Sequence, residues 1–370
     1  MTSAIDKQFM RMALIEAKKA IGRTSPNPCV GSVIVRDGKV VGKGYHKKAG
    51  TPHAEIHALR QTGEKSLGAT LYVTLEPCSH TGRTPPCCEA IAASGIRRVV
   101  MGMQDPNPLV QGAGARYLVS NGISVTAGVL ERECREINRP FIKHITTGLP
   151  WVVMKAGVSL DGKITFQSGK SGWITGVESF AAVHRLRDRF DAIMVGIGTV
   201  AIDDPALTTR LPGKKKGKNP IRVILDTKLS ISERARVLLQ TSDAPTMVFC
   251  GLDADTEKVN RLQEMGAIVC RVEKAPGGSV DLLSVLRDLG RRGVTSLLVE
   301  GGARIHGALL KQRLYDYAHL FYAPVFAGDQ GLSFLAGYDC PNGDAAFRLS
   351  DMRLRRYGAD LLVSGCLAYR

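Results

Sequence analysis

The chain has 370 residues, 44% hydrophobic and 23% charged, which is the composition of an ordinary globular protein and a length that suits two domains. Its 40 glycines and 17 prolines are too few for a fibrous or disordered chain, and no apolar run reaches the roughly 18 residues of a membrane-spanning helix. A net charge of +16 would suit nucleic acid, an anionic membrane or phosphorylated small molecules, but it is not gathered in a tail: residues 1–146 hold 20 basic and 11 acidic side chains, the remainder 30 and 23.

At the N-terminus Ile5, Phe9, Ala13, Leu14, Ala17 and Ile21 recur at helical spacing, where a secretory leader would need a continuous apolar stretch. An amphipathic helix and a cytoplasmic location are expected. Strands at 30–36 and 39–45 joined by Asp37-Gly38 read as a hairpin. Next come a helix opening near Pro52-His53, a strand at 70–75, a helix from about Pro86 and a strand at 98–103. A helix at 114–120, a strand at 123–127 and one helix over 131–144 complete this half. Such alternation predicts an α/β sandwich whose sheet is mostly parallel beyond the hairpin. The turn residues of 146–150 followed by a new strand pattern at 151–155 place a boundary there, giving domains 1–146 and 147–370.

The second half alternates again. Strands are expected at 192–196, 221–226, 246–250, 267–272 and 296–300, with helices at 178–189, 256–264, 282–292 and 304–312. Two strand-like stretches, 318–323 and 361–368, close the chain with no helix expected between them. Lys214, Lys215, Lys216 and Lys218 form the one dense basic run, between Pro212-Gly213 and Asn219-Pro220, and read as a solvated loop. The two halves share no internal repeat.

Nine cysteines are an odd number for a secreted disulfide scaffold, so their spacing is read for metal ligands. His53-x-Glu55 opens a helix, Pro77-Cys78 follows a strand, and Pro86-Cys87 opens the next helix. Three such ligands suit Zn²⁺ with its fourth position left to water, whose pKa falls to about 7 and makes a nucleophile available at neutral pH. Glu55 is placed to carry a proton from that water to departing ammonia. A closed structural site would need a fourth ligand, for which His46, His80 and Cys88 are near in sequence. Between the adjacent cysteines, the Pro-Cys step favours Cys87 as ligand and leaves Cys88 packed in the helix.

The His53-x-Glu55 and Pro77-Cys78 pair resembles the cytidine-deaminase superfamily, with eight residues between the cysteines where most members have two. That insert, with Ser25-Pro-Asn27-Pro28 and Gly44-Tyr-His46, is similar to the deaminases of riboflavin biosynthesis. The resemblance implies a three-layer α/β/α sandwich and a 5′-phosphorylated diaminopyrimidinone substrate. It also implies that Asn27 and His80 contact the pyrimidine and that Arg83 lies near the phosphate.

In the second half Gly196-x-Gly198 after a strand matches a dinucleotide fingerprint, but no acidic residue follows at about 20 positions, and Asp203 and Asp204 come at once. A better phosphate cradle is the turn from Glu300 through Gly301 and Gly302 into a helix, whose first amides are free to hold a pyrophosphate. Lys155 to Gly162, Ser171 to Thr175, Gly196 to Thr199, Asp203 to Arg210 and Glu300 to Arg304 stand in an order that resembles the dihydrofolate-reductase-like reductases of the same pathway. The resemblance then covers nearly the whole chain. It implies NADPH and hydride delivery to C1′ of the ribosylamine. Gly157, Trp173, Thr199, Asp203, Gly302, Ala303 and Arg304 would meet NADPH, and Ser171, Arg187, Leu207, Arg210 and Glu300 the substrate. Arg187 and Arg210 suit its phosphate through guanidinium forks. Lys155 or Asp203 is the acid or polarising group, and the sequence does not choose.

A bifunctional cytoplasmic enzyme is therefore expected, acting on small phosphorylated pyrimidines with Zn²⁺ and NADPH and without nucleic acid or membrane. The resemblance implies a homo-oligomer of unstated size. The rivals are a nucleic-acid deaminase, similar to tRNA adenosine deaminases with an unrelated second domain, and a zinc-stabilised binding module in which Glu55 is an ordinary surface residue.

Overall fold

The computed structural model describes residues 3–79, 85–107, 110–170, 172–213 and 217–369. It divides into two compact units, Met1–Gly148 and Leu149–Arg370. His80, Arg83, Ser171 and Lys214 to Lys216 lie outside the described residues.

In the first unit α1 (Ala4–Lys18) is followed by β1 (Gly31–Arg36), β2 (Lys39–Tyr45), α2 (Ala54–Thr62), β3 (Thr70–Leu75), α3 (Cys87–Ala93) and β4 (Arg98–Met103). Then come α4 (Ala113–Ser120), β5 (Ser124–Thr126), α5 (Glu131–Ile137) and α6 (Arg139–Thr147). The sheet order is β2-β1-β3-β4-β5, with β1 antiparallel to both neighbours and β3, β4 and β5 parallel. Asp37 and Gly38 both take positive φ, 50° and 71°, the turn conformation that matches the twist of a two-residue hairpin. Helices pack on both faces. Gly31 meets α1 so closely that a Cβ there would lie 2.0 Å from the Ala13 carbonyl oxygen, and Gly44 meets α2, with a Cβ 2.5 Å from that of Ala54. These glycines let backbone approach backbone.

The single helix expected over 131–144 is in fact two, α5 and α6. They part at Asn138, whose Oδ1 accepts from Cys29 N at 2.8 Å and whose Nδ2 donates to Cys29 O at 3.1 Å. A side chain that closes two backbone bonds 109 residues away holds the break in place.

Ser3 caps α1, and Asp6 on its first turn takes both arms of the Arg98 guanidinium from β4 at 2.8 and 3.0 Å and the Tyr72 hydroxyl from β3 at 3.1 Å. The Arg98 fork holds the buried Asp6 carboxyl down at about 2. A carboxyl depressed in the folded state contributes stability above its unfolded pKa, near 4, and loses it as pH falls through the folded value. We expect Asp6→Asn to lower the urea-unfolding free energy of the first unit by about 2 kcal/mol at pH 7. The gap to the parent protein should close as the pH is taken from 4 to 2.

The second unit runs β6 (Trp151–Val158), α7 (Val177–Arg187), β7 (Ala192–Gly196), α8 (Ile197–Asp203), β8 (Ile221–Leu225), α9 (Arg236–Leu239), β9 (Thr246–Gly251) and α10 (Thr256–Glu264). It continues with β10 (Ile268–Val272), α11 (Leu282–Arg291), β11 (Ser296–Val299), α12 (Ala303–Lys311), β12 (Tyr317–Tyr322), β13 (Arg348–Tyr357) and β14 (Asp360–Ala368). Nine strands form one sheet in the order β10-β9-β8-β7-β11-β6-β12-β14-β13. The seven from β10 to β12 are parallel; β14 and β13 add antiparallel. β13 is an element the sequence did not announce. It is an exposed outer strand carrying Arg348, Arg353, Arg355 and Arg356, with little alternation to betray it.

Val152, Met154, Leu297 and Val299 face a core shared with α11 and α12, while Ile193, Val195, Ile224 and Val248 face a second core with α10. On the latter face α7 packs Ala182 and Val183 against Phe321 of β12 and Leu362 of β14. The chain leaves β6, runs outward through β7 to β10, and returns to insert β11 between β6 and β7. A crevice opens outside the carboxyl ends of the strands where a sheet's connections reverse direction, and β6, β7 and β11 meet at that point here.

Candidate active sites

In the first unit the carboxyl end of β3 and the starts of α2 and α3 converge. His53 is the N-cap of α2, Cys87 the first residue of α3, and Cys78 lies in the loop after β3. Their ligand atoms all lie within 4.8 Å of one another. His53 Nδ1 is 3.2 Å from Cys87 Sγ and 3.5 Å from Cys78 Sγ, and the Cys87 amide donates to Cys78 Sγ at 3.3 Å. Hydrogen bonds from Cys87 and His53 draw the Cys78 thiol down to about 4 against the effect of burial, while Cys87, donating to that thiolate, is driven up. One imidazole and two thiols at this spacing are a donor set for zinc.

Glu55 sits on the first turn of α2 with 3% of its surface exposed. Its Oε2 is buried with no hydrogen-bond partner, and burial, reinforced by the nearby Cys78 charge, raises its pKa to about 7. An orphaned carboxyl oxygen beside three metal-ligating atoms fits a site completed by an ion and its water. Cys88 points elsewhere: its Sγ is 3.3 Å from Pro77 O and 3.6 Å from Gly114 O, and burial lifts its thiol to about 12. His46 is no ligand either. Its ring stands edge-on to that of His53, with Nδ1 on Pro52 O at 3.3 Å and Nε2 on Asn27 Nδ2 at 3.1 Å. Asn27 is thereby held beside the metal-ligating group.

Sequence reasoning missed Glu76. Its buried carboxylate accepts from the amides of Asp105 at 3.1 Å, Gly112 at 3.0 Å and Ala115 at 3.0 Å, so it ties the loop after β4 to the residue preceding Pro77-Cys78. Gly114, on the first turn of α4, approaches so closely that a Cβ would lie 2.1 Å from Pro77 O. The signal was only a glutamate before Pro-Cys, which in a bare sequence reads as an exposed charge.

In the second unit the cleft at the ends of β6, β7 and β11 holds an ion-pair cluster. Arg187, the last residue of α7, binds Glu300 bidentately, Nε to Oε1 at 2.7 Å and Nη2 to Oε2 at 2.8 Å, and gives Nη1 to Thr208 O at 3.0 Å. Lys155 Nζ is 3.8 Å from Glu300 Oε2. Burial pushes the Glu300 carboxyl up, but the Arg187 charge and hydrogen bonds, with Lys155, outweigh it and hold the group at about 2. Burial lowers the Lys155 pKa, with Glu300 opposing. The side of the Arg187 fork expected to grip phosphate is therefore engaged by Glu300.

Glycines 301 and 302 flank Thr199. A Cβ on either would stand 3.3 and 3.5 Å from its Oγ1, and Gly302 caps α12 with no side chain across the amides of Ala303 and Arg304. These features fit a pyrophosphate-bearing cofactor. Gly157 faces Thr175, where a Cβ would lie 3.0 Å from Cγ2. Trp173 is largely exposed and stacks on Phe180 at 4.6 Å. Asp203 ends α8 with its side chain exposed. The Leu207 side chain is buried in the second core, so its backbone, at φ 52°, is the part offered to a ligand. Arg210, which has no acidic partner among the described residues, lies against His184, which the sequence reading passed over.

Comparison with known proteins adds two domain matches. The cytidine and deoxycytidylate deaminase zinc-binding region matches residues 3–103, and the RibD C-terminal domain matches residues 150–363. The chain is 43% identical to the riboflavin biosynthesis protein RibD of Aquifex aeolicus, over 98% of this chain and 99% of that protein. It is 39% identical to RibD of Escherichia coli, over 94% and 96% of the two chains. A solved RibD of Acinetobacter baumannii superposes with a TM-score of 0.88 at 35% identity, covering 98% and 99%. A diaminohydroxyphosphoribosylaminopyrimidine deaminase/5-amino-6-(5-phosphoribosylamino)uracil reductase from Thermotoga maritima gives 0.85 at 36% identity, covering 99% of each.

Proposed function

The chain belongs to the RibD family of riboflavin-biosynthesis proteins, and from that premise we propose how its residues divide the family's two reactions. It is a bifunctional enzyme of that pathway, a zinc-dependent deaminase and an NADPH-dependent reductase. Residues 1–146 carry the deamination of 2,5-diamino-6-(5-phosphoribosylamino)pyrimidin-4-one. Residues 147–370 carry the reduction of the product's ribosyl group to ribityl. The substrates are small phosphorylated pyrimidines, with no part for nucleic acid, and the working form is a cytoplasmic homo-oligomer. Among the described residues no helix is long and apolar enough to cross a membrane.

The observation that carries the deaminase reading is the meeting of His53, Cys78 and Cys87 with the unpaired Glu55 Oε2. Zinc held by those three residues supplies a water of pKa about 7. Glu55 takes the proton of the attacking water at its carboxylate and returns it to the leaving amine. Asn27, held by His46, orients the pyrimidine, and His80 and Arg83 join it from outside the described residues.

For the reductase, NADPH supplies the hydride, and Thr199, Asp203 and the 302–304 turn hold it, with Gly157 leaving room and Trp173 at the rim. Arg187, Glu300 and the backbone of Leu207 position the ribosyl chain, Ser171, outside the described residues, is assigned to the same substrate, and Arg210 takes the phosphate. Lys155 is the polarising group of choice, since it stands inside the buried cluster while Asp203 is exposed.

Chelation tests the division. After zinc removal, ammonia release from the diaminopyrimidinone phosphate should stop, while NADPH oxidation on supplied deaminated intermediate stays within about twofold of the untreated rate. Loss of both rates, or of neither, would count against separate sites. Ammonia release from an oligonucleotide in place of the free pyrimidine would favour the nucleic-acid reading.

A further inference from the structure

His184 lies on α7 and is fully buried, with Phe180 and Arg210 as its neighbours. Phe180, one turn earlier on the same helix, meets its ring edge-on at 4.3 Å. The backbone N–H of Arg210 donates to His184 Nδ1 at 2.9 Å. An amide cannot accept, so Nδ1 must carry the lone pair, and the neutral ring then bears its proton on Nε2.

Among the described residues that proton meets no acceptor in its immediate contact. The nearest partner of Nε2 is Arg210 Nη2 at 3.5 Å, which is also a donor. Arg210 in turn stands over the Phe180 ring at 5.5 Å and, among the described residues, forms no ion pair with a carboxylate. Burial and the nearby Arg187 and Arg236 all work against its charge. Two donors turned toward one spot, in a surplus of positive charge, call for an anionic oxygen between them.

We propose that His184 is a phosphate-binding and positioning residue of the reductase: Nδ1 fixes the Arg210 backbone, and Nε2–H, covered in this structure by the Arg210 guanidinium, joins that group in donating to the substrate's phosphate once the exposed Arg210 side chain shifts to admit it. This rests on the reading that Arg210 meets the phosphate. It also gives Arg210 the role that Arg187, engaged with Glu300, shares less fully. A neutral imidazole here adds a donor without adding a third repelling cation.

The test is steady-state reduction of the deaminated substrate with and without its 5′-phosphate, with NADPH affinity measured by fluorescence as the check on folding. His184→Asn keeps an acceptor near the Nδ1 position and loses the distal donor. It should raise KM for the phosphorylated substrate about tenfold, leave kcat within about twofold, and shrink the preference for the phosphorylated form about tenfold. His184→Gln places an amide donor near the Nε2 position and should retain more of that preference. Arg210→Ala should shrink it further, by about a hundredfold. If Arg210→Ala erodes the preference and His184→Asn does not, the proposal is wrong and the phosphate reading of Arg210 stands. If neither variant changes it, both fail together. If His184→Asn also weakens NADPH and slows both substrates equally, the histidine is only structural and the proposal is likewise overturned.

Discussion

Replacing Glu55 by glutamine is expected to cut ammonia release by about a thousandfold or more, the scale on which a positioned general acid–base group contributes. Glutamine has the shape of glutamate and leaves His53, Cys78 and Cys87 untouched, so zinc content measured by elemental analysis should remain at the parent level. The amide cannot take a proton from water or return it to an amine. Reduction of supplied deaminated intermediate should continue unchanged, because Arg187, Glu300 and Lys155 belong to the other unit. Retained deamination would remove Glu55 from the mechanism, and lost zinc would show that it serves the metal.

The second large effect concerns Glu300. Glu300→Ala strips a mostly buried guanidinium of its bidentate partner, and breaking such a pair from one side costs about 3–5 kcal/mol. Urea unfolding of the second unit should weaken by that order, and NADPH oxidation should fall by about a hundredfold through lost positioning of the ribosyl chain. The double variant Arg187→Met with Glu300→Leu separates the two consequences. It removes both charges and refills the space, so it should recover most of the stability and none of the reduction. Recovery of both would make the pair purely structural; a single Glu300→Ala variant with full activity would remove it from the site.

Much of this architecture is legible in the sequence where local and distant demands agree. The hairpin at Asp37-Gly38, β3 and β4 are announced by turn chemistry and apolar runs that the fold has no reason to override. The break at Asn138 was missed although Pro140 signals it locally, since a proline suits the first turn of a new helix and not the interior of one; the Cys29 backbone that then holds Asn138 in place is beyond any local rule. β13 was missed because an outer strand lined with arginines has no buried face to pattern. For the metal centre, spacing pointed to His53, Cys78 and one of two adjacent cysteines, the Pro-Cys step favoured Cys87, and the structure turns the Cys88 thiol toward Pro77 O instead. Glu76 and His184 escaped for the same physical reason: burial and hydrogen-bond direction give them meaning, and a one-dimensional string carries neither. Leu207 shows the converse, a residue named from motif order whose side chain the core had already claimed.

Glu76 has one more effect. By taking the amides of Asp105, Gly112 and Ala115 it gives these backbone groups a partner within the protein itself. Small zinc modules fold only when they capture their ion, and their affinity is spent on ordering the peptide. Here three amides near the metal ligands already have a carboxylate partner, so less of the free energy of capture need go into ordering them.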